Sequence, residues 1–212
     1  MPTYGLTAAE LRVLRKLESP ARVQDFLNQL PQNFEPGGSS CRSPRRVLRD
    51  RTAHCLEGAI LAALALRLQG YPPLLLDLKA TEEDDDHVAA VWRGRSGWGA
   101  ITKTNHAVLR YREPIYRSVR ELAASYFHEY FLDSGRKVLR SYSTPLNLAR
   151  FDARGWVTAE ADVWYVAKAL DAQPHHSLMP PGAGRALRLA DPIERATGKL
   201  TEWSRSGKRQ FR

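Results

Sequence analysis

Cysteine is scarce in this sequence, and long apolar segments are missing from it. Only Cys41 and Cys55 occur, which is too few for a disulfide framework, so we expect Cys55 to be a free thiol in a cytoplasmic protein. The most apolar stretch, 56–66, contains Glu57 and stops well short of the roughly 18 uncharged residues of a membrane-spanning helix. Residues 1–18 mix charged and apolar side chains, unlike a secretory signal. We therefore expect no membrane span.

Patterns that bind metals and nucleotides are also missing. The chain has no CxxC pair and no HExxH, and neither GxGxxG nor GxxxxGK[ST] occurs. The acidic run 82–86 (EEDDD) lacks the spaced ligands and the central glycine of a calcium loop. We expect neither a metal nor a cofactor. The acidic run is expected to be a solvated loop, with the alternative that its charges stabilise a protonated His87.

Positive charge is abundant and is concentrated near the C-terminus. The net charge is +9, and residues 185–212 carry five of these charges, from eight basic and three acidic side chains. The segment 174–212 also contains Pro and Gly, so we expect a basic tail behind a single domain at 1–173. A tail of this kind is usually solvated. Binding of nucleic acid through it is the lesser alternative.

Apolar spacing and cap residues predict helices before residue 70 and strands after it. Helices are expected to begin near Thr7, Ser19, Ser43 and Cys55, and Gly70 with Pro72-Pro73 ends the last of them. Short apolar runs predict strands at 74–78, 87–92 and 98–102, the last two joined as a hairpin by GRSG. Beyond residue 115, an aromatic helix, a strand at 137–142 and a helix opened by Thr158 are expected. Helices followed by strands favour an α+β fold.

Cys55 lies where a polar, basic segment meets the apolar helix. Unpaired N–H groups and the positive end of the helix dipole favour thiolate over thiol at such a position. A nucleophilic thiol also needs a base. His87 is the best candidate because it opens a strand, whereas His54 is adjacent to Cys55 and neighbouring side chains usually point apart.

The stretch from Ser43 to Thr102 resembles the transglutaminase-like family, relatives of the papain-like cysteine proteases. The resemblance is carried by SPRRVLRDRTAHC, LEGAILAALALRLQGYPP, DDHVAAVW and SGWGAIT. It implies a papain/transglutaminase-like core, in which N-terminal helices and the Cys-bearing helix pack on a small antiparallel sheet. It also implies Cys55 as nucleophile and His87 as its base, with Trp98 at the family's Gly-Trp turn.

The third catalytic residue departs from the family pattern. Thr102 occupies the place of the family's aspartate, and Asn105 is a second candidate for orienting His87. Trp98 and His54 are expected to contact the substrate. The backbone N–H of Cys55 is the expected first donor to an oxyanion.

These features predict a cysteine hydrolase or acyltransferase that acts on an amide bond of a peptide or protein through a thioester. Two alternatives stay open at this point. One is an inactive transglutaminase-like module that binds a peptide or protein, and the other is a nucleic-acid-associated protein working through its basic tail. The oligomeric state is left open.

Overall fold

A computed structural model describes residues 3–211 of the chain. Its α-helices are α1 (Ala8–Arg15), α2 (Pro20–Gln29), α3 (Pro44–Asp50), α4 (Cys55–Leu68), α5 (Val119–Ala124), α6 (Trp164–Asp171) and α7 (Pro192–Gly198). Its strands are β1 (Leu74–Lys79), β2 (His87–Arg93), β3 (Trp98–Thr102), β4 (Arg112–Tyr116), β5 (Ser141–Ser143), β6 (Leu146–Asn147) and β7 (His175–Ser177). Short 3₁₀ helices lie at Phe127–Glu129, Leu148–Arg154 and Ala183–Ala186. No helix among residues 3–211 combines the length and apolar character needed to cross a bilayer.

The strands form one antiparallel sheet in the order β4-β3-β2-β1-β5-β7, with β6 also paired to β1. The predicted hairpin is confirmed: β2 pairs with β3 from Ala89↔Thr102 to Arg93↔Trp98. The tight turn is closed by the Gly94 N–H, which donates to Gly97 O at 2.8 Å. Helices packed on this sheet confirm the α+β class.

Both faces of the central strands are covered. Leu75, Ala90 and Ile101 face a core built with α1, α2 and α4, whereas Leu76, Ala89 and Ala100 face a second core. This second core contains α5 and the aromatic residues that follow it, including the buried Tyr126 and Tyr130. Two covered faces explain why these strands are continuous apolar runs, since side chains of successive strand residues point to opposite faces.

Two predicted elements begin later in the structure than the sequence pattern suggests. The helix expected from Thr158 begins at Trp164, because Asp162 accepts hydrogen bonds from the Cys41 N–H (3.1 Å) and from Arg46 Nη1 (2.6 Å). These bonds hold the preceding segment as turns against α3. The strand expected at 137–142 is shorter and later, at Ser141–Ser143, where its pairing with β1 ends at Lys79↔Ser141.

The basic segment from residue 174 onward returns to the body of the protein. It supplies β7, which pairs with β5, and α7. Further along, Asn105 Nδ2 donates to Trp203 O (2.9 Å) and the Trp203 N–H donates to Asn105 Oδ1 (2.8 Å). Some of its basic side chains form ion pairs: Arg188 pairs with Asp191, and Arg209 pairs with the buried Glu202.

Helix α4 is buried on all sides between residues 56 and 66. Gly58 lets the segment that follows β3 pack closely against it. A Cβ at Gly58 would lie 2.4 Å from Cβ of Lys103, which follows β3 directly and is 1% exposed. The Lys103 ammonium donates to Leu30 O at 2.8 Å. The backbone after β3 is therefore packed against the first turns of α4.

Replacing Gly58 with alanine should destabilise the protein, although alanine is the better helix former by about 1 kcal/mol. The new methyl group would overlap Lys103 Cβ, which is rigidly attached to the backbone, and overpacking of this kind costs about 1–3 kcal/mol. We expect Gly58→Ala to lower the melting temperature by a few degrees, at roughly 2–4 °C per kcal/mol. Gly37→Ala is the control, because its Cβ would meet no atom within 4 Å. A melting temperature raised by Gly58→Ala would contradict this packing.

Candidate active site

A cleft of about 770 Å³ opens at the N-terminal end of α4. His54, Cys55 and Leu56 form its base, and His87 and Val88 enter from the start of β2. Its remaining walls are loops, at 32–35, 84–86, 103–109 and 129–133, together with Arg195 and Gly198 from α7. The cleft thus joins the helix and the strand that the sequence singles out.

The Cys55 thiol lies near two imidazoles, those of His54 and His87. Burial opposes its ionisation, but the interactions with His54 and then with His87 outweigh burial and lower the pKa of Cys55 to about 5. Cys41 shows the contrast, since burial and nearby carboxylates raise its pKa to about 12. The surroundings of Cys55, which is half-buried, thus favour the thiolate, whereas those of the buried Cys41 favour the thiol.

His54 contacts the thiol despite being its neighbour in the chain. It is the N-cap of α4, with an extended backbone (φ −97°, ψ −173°), so the chain changes direction between the two residues. Its Nε2 lies 2.9 Å from Ser40 O, which fixes the direction of the ring. Burial opposes protonation, but the contacts with Cys55, Glu57 and Ser40 prevail and raise the pKa of His54 to about 9.

Glu57 is a functional candidate that the sequence analysis did not identify. Its carboxylate has no solvent exposure and accepts four hydrogen bonds, from Asn33 Nδ2 (3.0 Å), Ser40 Oγ (2.9 Å), Arg42 N (3.1 Å) and His54 N (3.2 Å). Oε1 also lies 3.6 Å from Nε2 of His54. The signal was present in the sequence: Glu57 is the single charged residue of the apolar run 56–66, and a buried acid needs partners.

His87 opens β2 as predicted and lines the cleft, with 7% of its surface exposed. Its Nε2 is buried and has no hydrogen-bond partner among the described residues. The ring contributes to the lowered pKa of Cys55. An imidazole held this way is available to a group that enters the cleft.

Neither sequence candidate for orienting His87 contacts it through its side chain. Thr102 Oγ1 donates to Leu109 O (2.7 Å), and in the sheet Thr102 is paired with Ala89, two residues beyond His87. Asn105 lines the cleft, but its amide is engaged by Trp203. Trp98 lies at the far end of β3 and is not part of the cleft lining, whereas His54 is.

One set of three carboxylates in the described residues is close enough to hold a cation. Oxygens of Asp77, Asp86 and Asp171 lie within 4.8 Å of one another. Two of the three already have partners, because Asp86 Oδ2 accepts from Lys79 Nζ (2.8 Å) and Asp77 Oδ2 lies 3.0 Å from His175 Nε2. These contacts account for the cluster without an ion.

The two imidazoles should differ in their effect on the thiol. Of the groups that lower the pKa of Cys55, His54 contributes most and His87 next. We expect His54→Gln to raise the apparent pKa of Cys55 by about one to two pH units, and His87→Gln to raise it less. The pH dependence of alkylation measures both. His106→Gln is the control, because His106 lines the cleft but bonds to Gly198 O. A larger rise in His87→Gln than in His54→Gln would contradict this order.

The chemistry of the cleft follows from its own residues and their geometry. No protein-family model and no curated protein matches this chain. The residues that carry an assignment are therefore Cys55, His54 and His87, which line the cleft, and the buried carboxylate of Glu57, which accepts a hydrogen bond from the His54 N–H.

Proposed function

We propose that the protein is a cysteine hydrolase or acyltransferase of transglutaminase-like type that acts on an amide bond of a peptide or protein. The observation that carries the proposal is the placement of the Cys55 thiol in an open cleft that the imidazoles of His54 and His87 also line. Against the opposing effect of burial, these imidazoles lower the pKa of Cys55 to about 5. A thiolate that persists at neutral pH is the form that attacks a carbonyl. A cysteine that serves only packing gains nothing from such surroundings.

In the proposed reaction, the Cys55 sulfur attacks the amide carbonyl and the C–N bond breaks to leave a thioester. The departing amine takes a proton from an imidazolium, and His54, with a pKa of about 9, holds such a proton at neutral pH. Water or a second amine then attacks the thioester, and its proton passes to an imidazole as the sulfur leaves. His87 Nε2, which has no hydrogen-bond partner in the described residues, suits this second transfer, and return of the proton to His54 restores the starting state.

Backbone groups at the start of α4 supply the other requirement, which is stabilisation of the oxyanion. Cys55 is the first residue of the helix, so its N–H has no partner within the helix. It lies next to the sulfur and near the positive end of the helix dipole. An oxygen that becomes negative beside the sulfur is therefore close to a fixed donor.

The arrangement of elements supports the transglutaminase-like part of the proposal. A buried helix carries the cysteine at its N-terminus, packs on an antiparallel sheet and is followed by a hairpin whose first residue is His87. This is the order that the resemblance of Ser43 to Thr102 implies.

A second candidate function is binding of a peptide or protein without catalysis. The absence of a hydrogen bond to His87 Nε2 from any described residue favours it, because no acid orients this imidazole. A protein that only binds its partner has no need of a thiolate at neutral pH. Measuring the pKa of Cys55 by alkylation therefore separates the catalytic function from the binding function.

Alkylation by iodoacetamide should show a thiolate across the neutral range. Because the pKa of Cys55 is lowered, thiolate predominates above about pH 5, so the rate should rise around that pH and stay nearly flat from about pH 6 to 8. The urea-unfolded chain is the control, where the midpoint should return to about 8.5. Cys55→Ala should take up no label when folded and should lack amidase activity. A folded-state midpoint near 8.5, or activity preserved in Cys55→Ala, would end the proposal.

A further inference from the structure

The lining of the Cys55 cleft is acidic in a chain that is strongly basic overall. Six carboxylates line the cleft against one lysine and one arginine, Lys103 and Arg195, whereas the whole chain carries a net charge of +9. The six are Glu35, Asp84, Asp85, Asp86, Glu129 and Asp133. The surplus of negative charge is therefore specific to the cleft.

Several of these carboxylates are balanced within the fold. Asp86 is paired with Lys79 and Glu129 with Arg112, Asp133 lies 3.8 Å from Lys199, and Glu35 lies 3.7 Å from Nε2 of His54. Asp84 and Asp85 form no ion pair with any residue in the part of the chain that the structure describes. They are the charges that a ligand would meet.

The two cations of the lining do not balance Asp84 and Asp85. The Lys103 ammonium is turned away to Leu30 O (2.8 Å), and burial lowers its pKa to about 8. Arg195 Nη1 donates to the backbone oxygen of Asp133 at 3.3 Å. Both are thus held at other walls of the cleft.

Tyr130 lines the cleft and contacts the acidic loop. Its side chain is buried, and its hydroxyl donates to the backbone oxygen of Asp85. Burial raises the pKa of Tyr130, and the charges of Asp84, Asp86 and Cys55 raise it further, so the loop and the thiolate act on the same phenol. Burial and the charges of Asp85 and Asp86 likewise raise the pKa of Asp84. These like charges repel one another, and a cation between them would relieve that repulsion.

Two polar atoms of residues that line the cleft have no hydrogen-bond partner among the described residues. The Nε2 atom of His87, a residue with 7% of its surface exposed, has no hydrogen-bond partner among the described residues. Gln32 Oε1 is likewise buried without a partner there, and an amide oxygen can only accept. Both residues line the cleft. Buried polar atoms left this way are costly unless a ligand completes them.

We propose that the cleft selects a peptide or protein segment that carries a lysine or arginine side chain next to the amide bond attacked by Cys55. This inference rests on the proposed function for the identity of the reacting bond. The cationic group would lie beside Asp84 and Asp85. An anionic segment would be repelled both by this wall and by the thiolate.

Two thiol reagents that differ in charge test the selection directly. Methanethiosulfonates carrying a trimethylammonium-ethyl or a sulfonato-ethyl group both form a mixed disulfide with the thiolate and release methanesulfinate. The rate constant of the cationic reagent at Cys55 is divided by that of the anionic reagent. This ratio is then divided by the same ratio measured with 2-mercaptoethanol, which gives a quotient for the protein alone. Because both reagents react with the same thiolate, the fraction of thiolate cancels from this quotient, and the selection can be measured at any pH.

We expect the quotient to favour the cationic reagent by about tenfold or more at low ionic strength, because each unpaired carboxylate attracts one reagent and repels the other. Asp85→Asn should lower it about fivefold, because the neutral side chain neither attracts the cationic reagent nor repels the anionic one. The double variant Asp84→Asn, Asp85→Asn should lower it further. Salt at 0.5 M should reduce the preference of the wild-type protein, since charges are then screened within several ångströms.

Glu82→Gln is the matched control, because Glu82 is exposed in the same loop and does not line the cleft. It should leave the quotient unchanged, and mass spectrometry should place the label on Cys55. A quotient near one, or one that Glu82→Gln lowers as much as Asp85→Asn does, would overturn the proposal. Failure of the proposed function instead shows in the pH midpoint of alkylation, which this quotient does not depend on.

Discussion

The buried carboxylate of Glu57 holds the candidate site together. A charge without solvent contact is strongly unfavourable unless donors surround it, and here four hydrogen bonds reach it, three of them from the loop at 33–42. Ser40 is fixed by one of these bonds, and its carbonyl oxygen in turn fixes Nε2 of His54 at 2.9 Å. The direction of the His54 ring, and hence its contact with Cys55, therefore depends on an acid one helical turn away. Removal of that acid would release the loop and the imidazole together.

Burial of α4 confines the chemistry to its first turn. Residues 56–66 are all buried, so the body of the helix can only be apolar or small. Cys55 is half-buried, and polar groups gather at the helix N-terminus because backbone N–H groups remain unpaired there. Gly58 adds a constraint from the other side, since the backbone at Lys103 packs directly on it. A rigid helix end facing a rigid strand gives the thiol and the imidazole of His87 fixed positions.

Local sequence patterns predicted the helix and the strand that carry Cys55 and His87. The partners of the surrounding side chains depend on contacts that local patterns do not reveal. The start of α4 at Cys55 and the hairpin that begins at His87 follow from a change in polarity, a glycine cap and a short turn, all of which are local. The side-chain partner of Thr102 is Leu109 O, across the irregular segment that follows β3, and that of Asn105 is Trp203, almost a hundred residues away. Neither contact follows from a local sequence pattern. The contact between His54 and Cys55 depends on the extended backbone of a helix N-cap, which sequence adjacency conceals. The helix expected from Thr158 was displaced by the bonds of Asp162 to another element.

Charge balance explains why the acidic loop matters to a site that already contains a thiolate. The His54 imidazolium faces two negative groups, the Cys55 thiolate and Glu35, whose Oε1 lies 3.7 Å from Nε2 of His54, and Arg42 Nε lies 3.6 Å from Glu57 Oε1. This inner set carries no surplus of positive charge. Asp84 and Asp85, which form no ion pair with any described residue, add negative charge to the field that an approaching substrate feels. Two charges 4 Å apart interact by about 1 kcal/mol in water, and the interaction falls inversely with distance. An effect of this size is small against the barrier of amide cleavage, but it is large enough to choose between substrates of opposite charge as they enter the cleft.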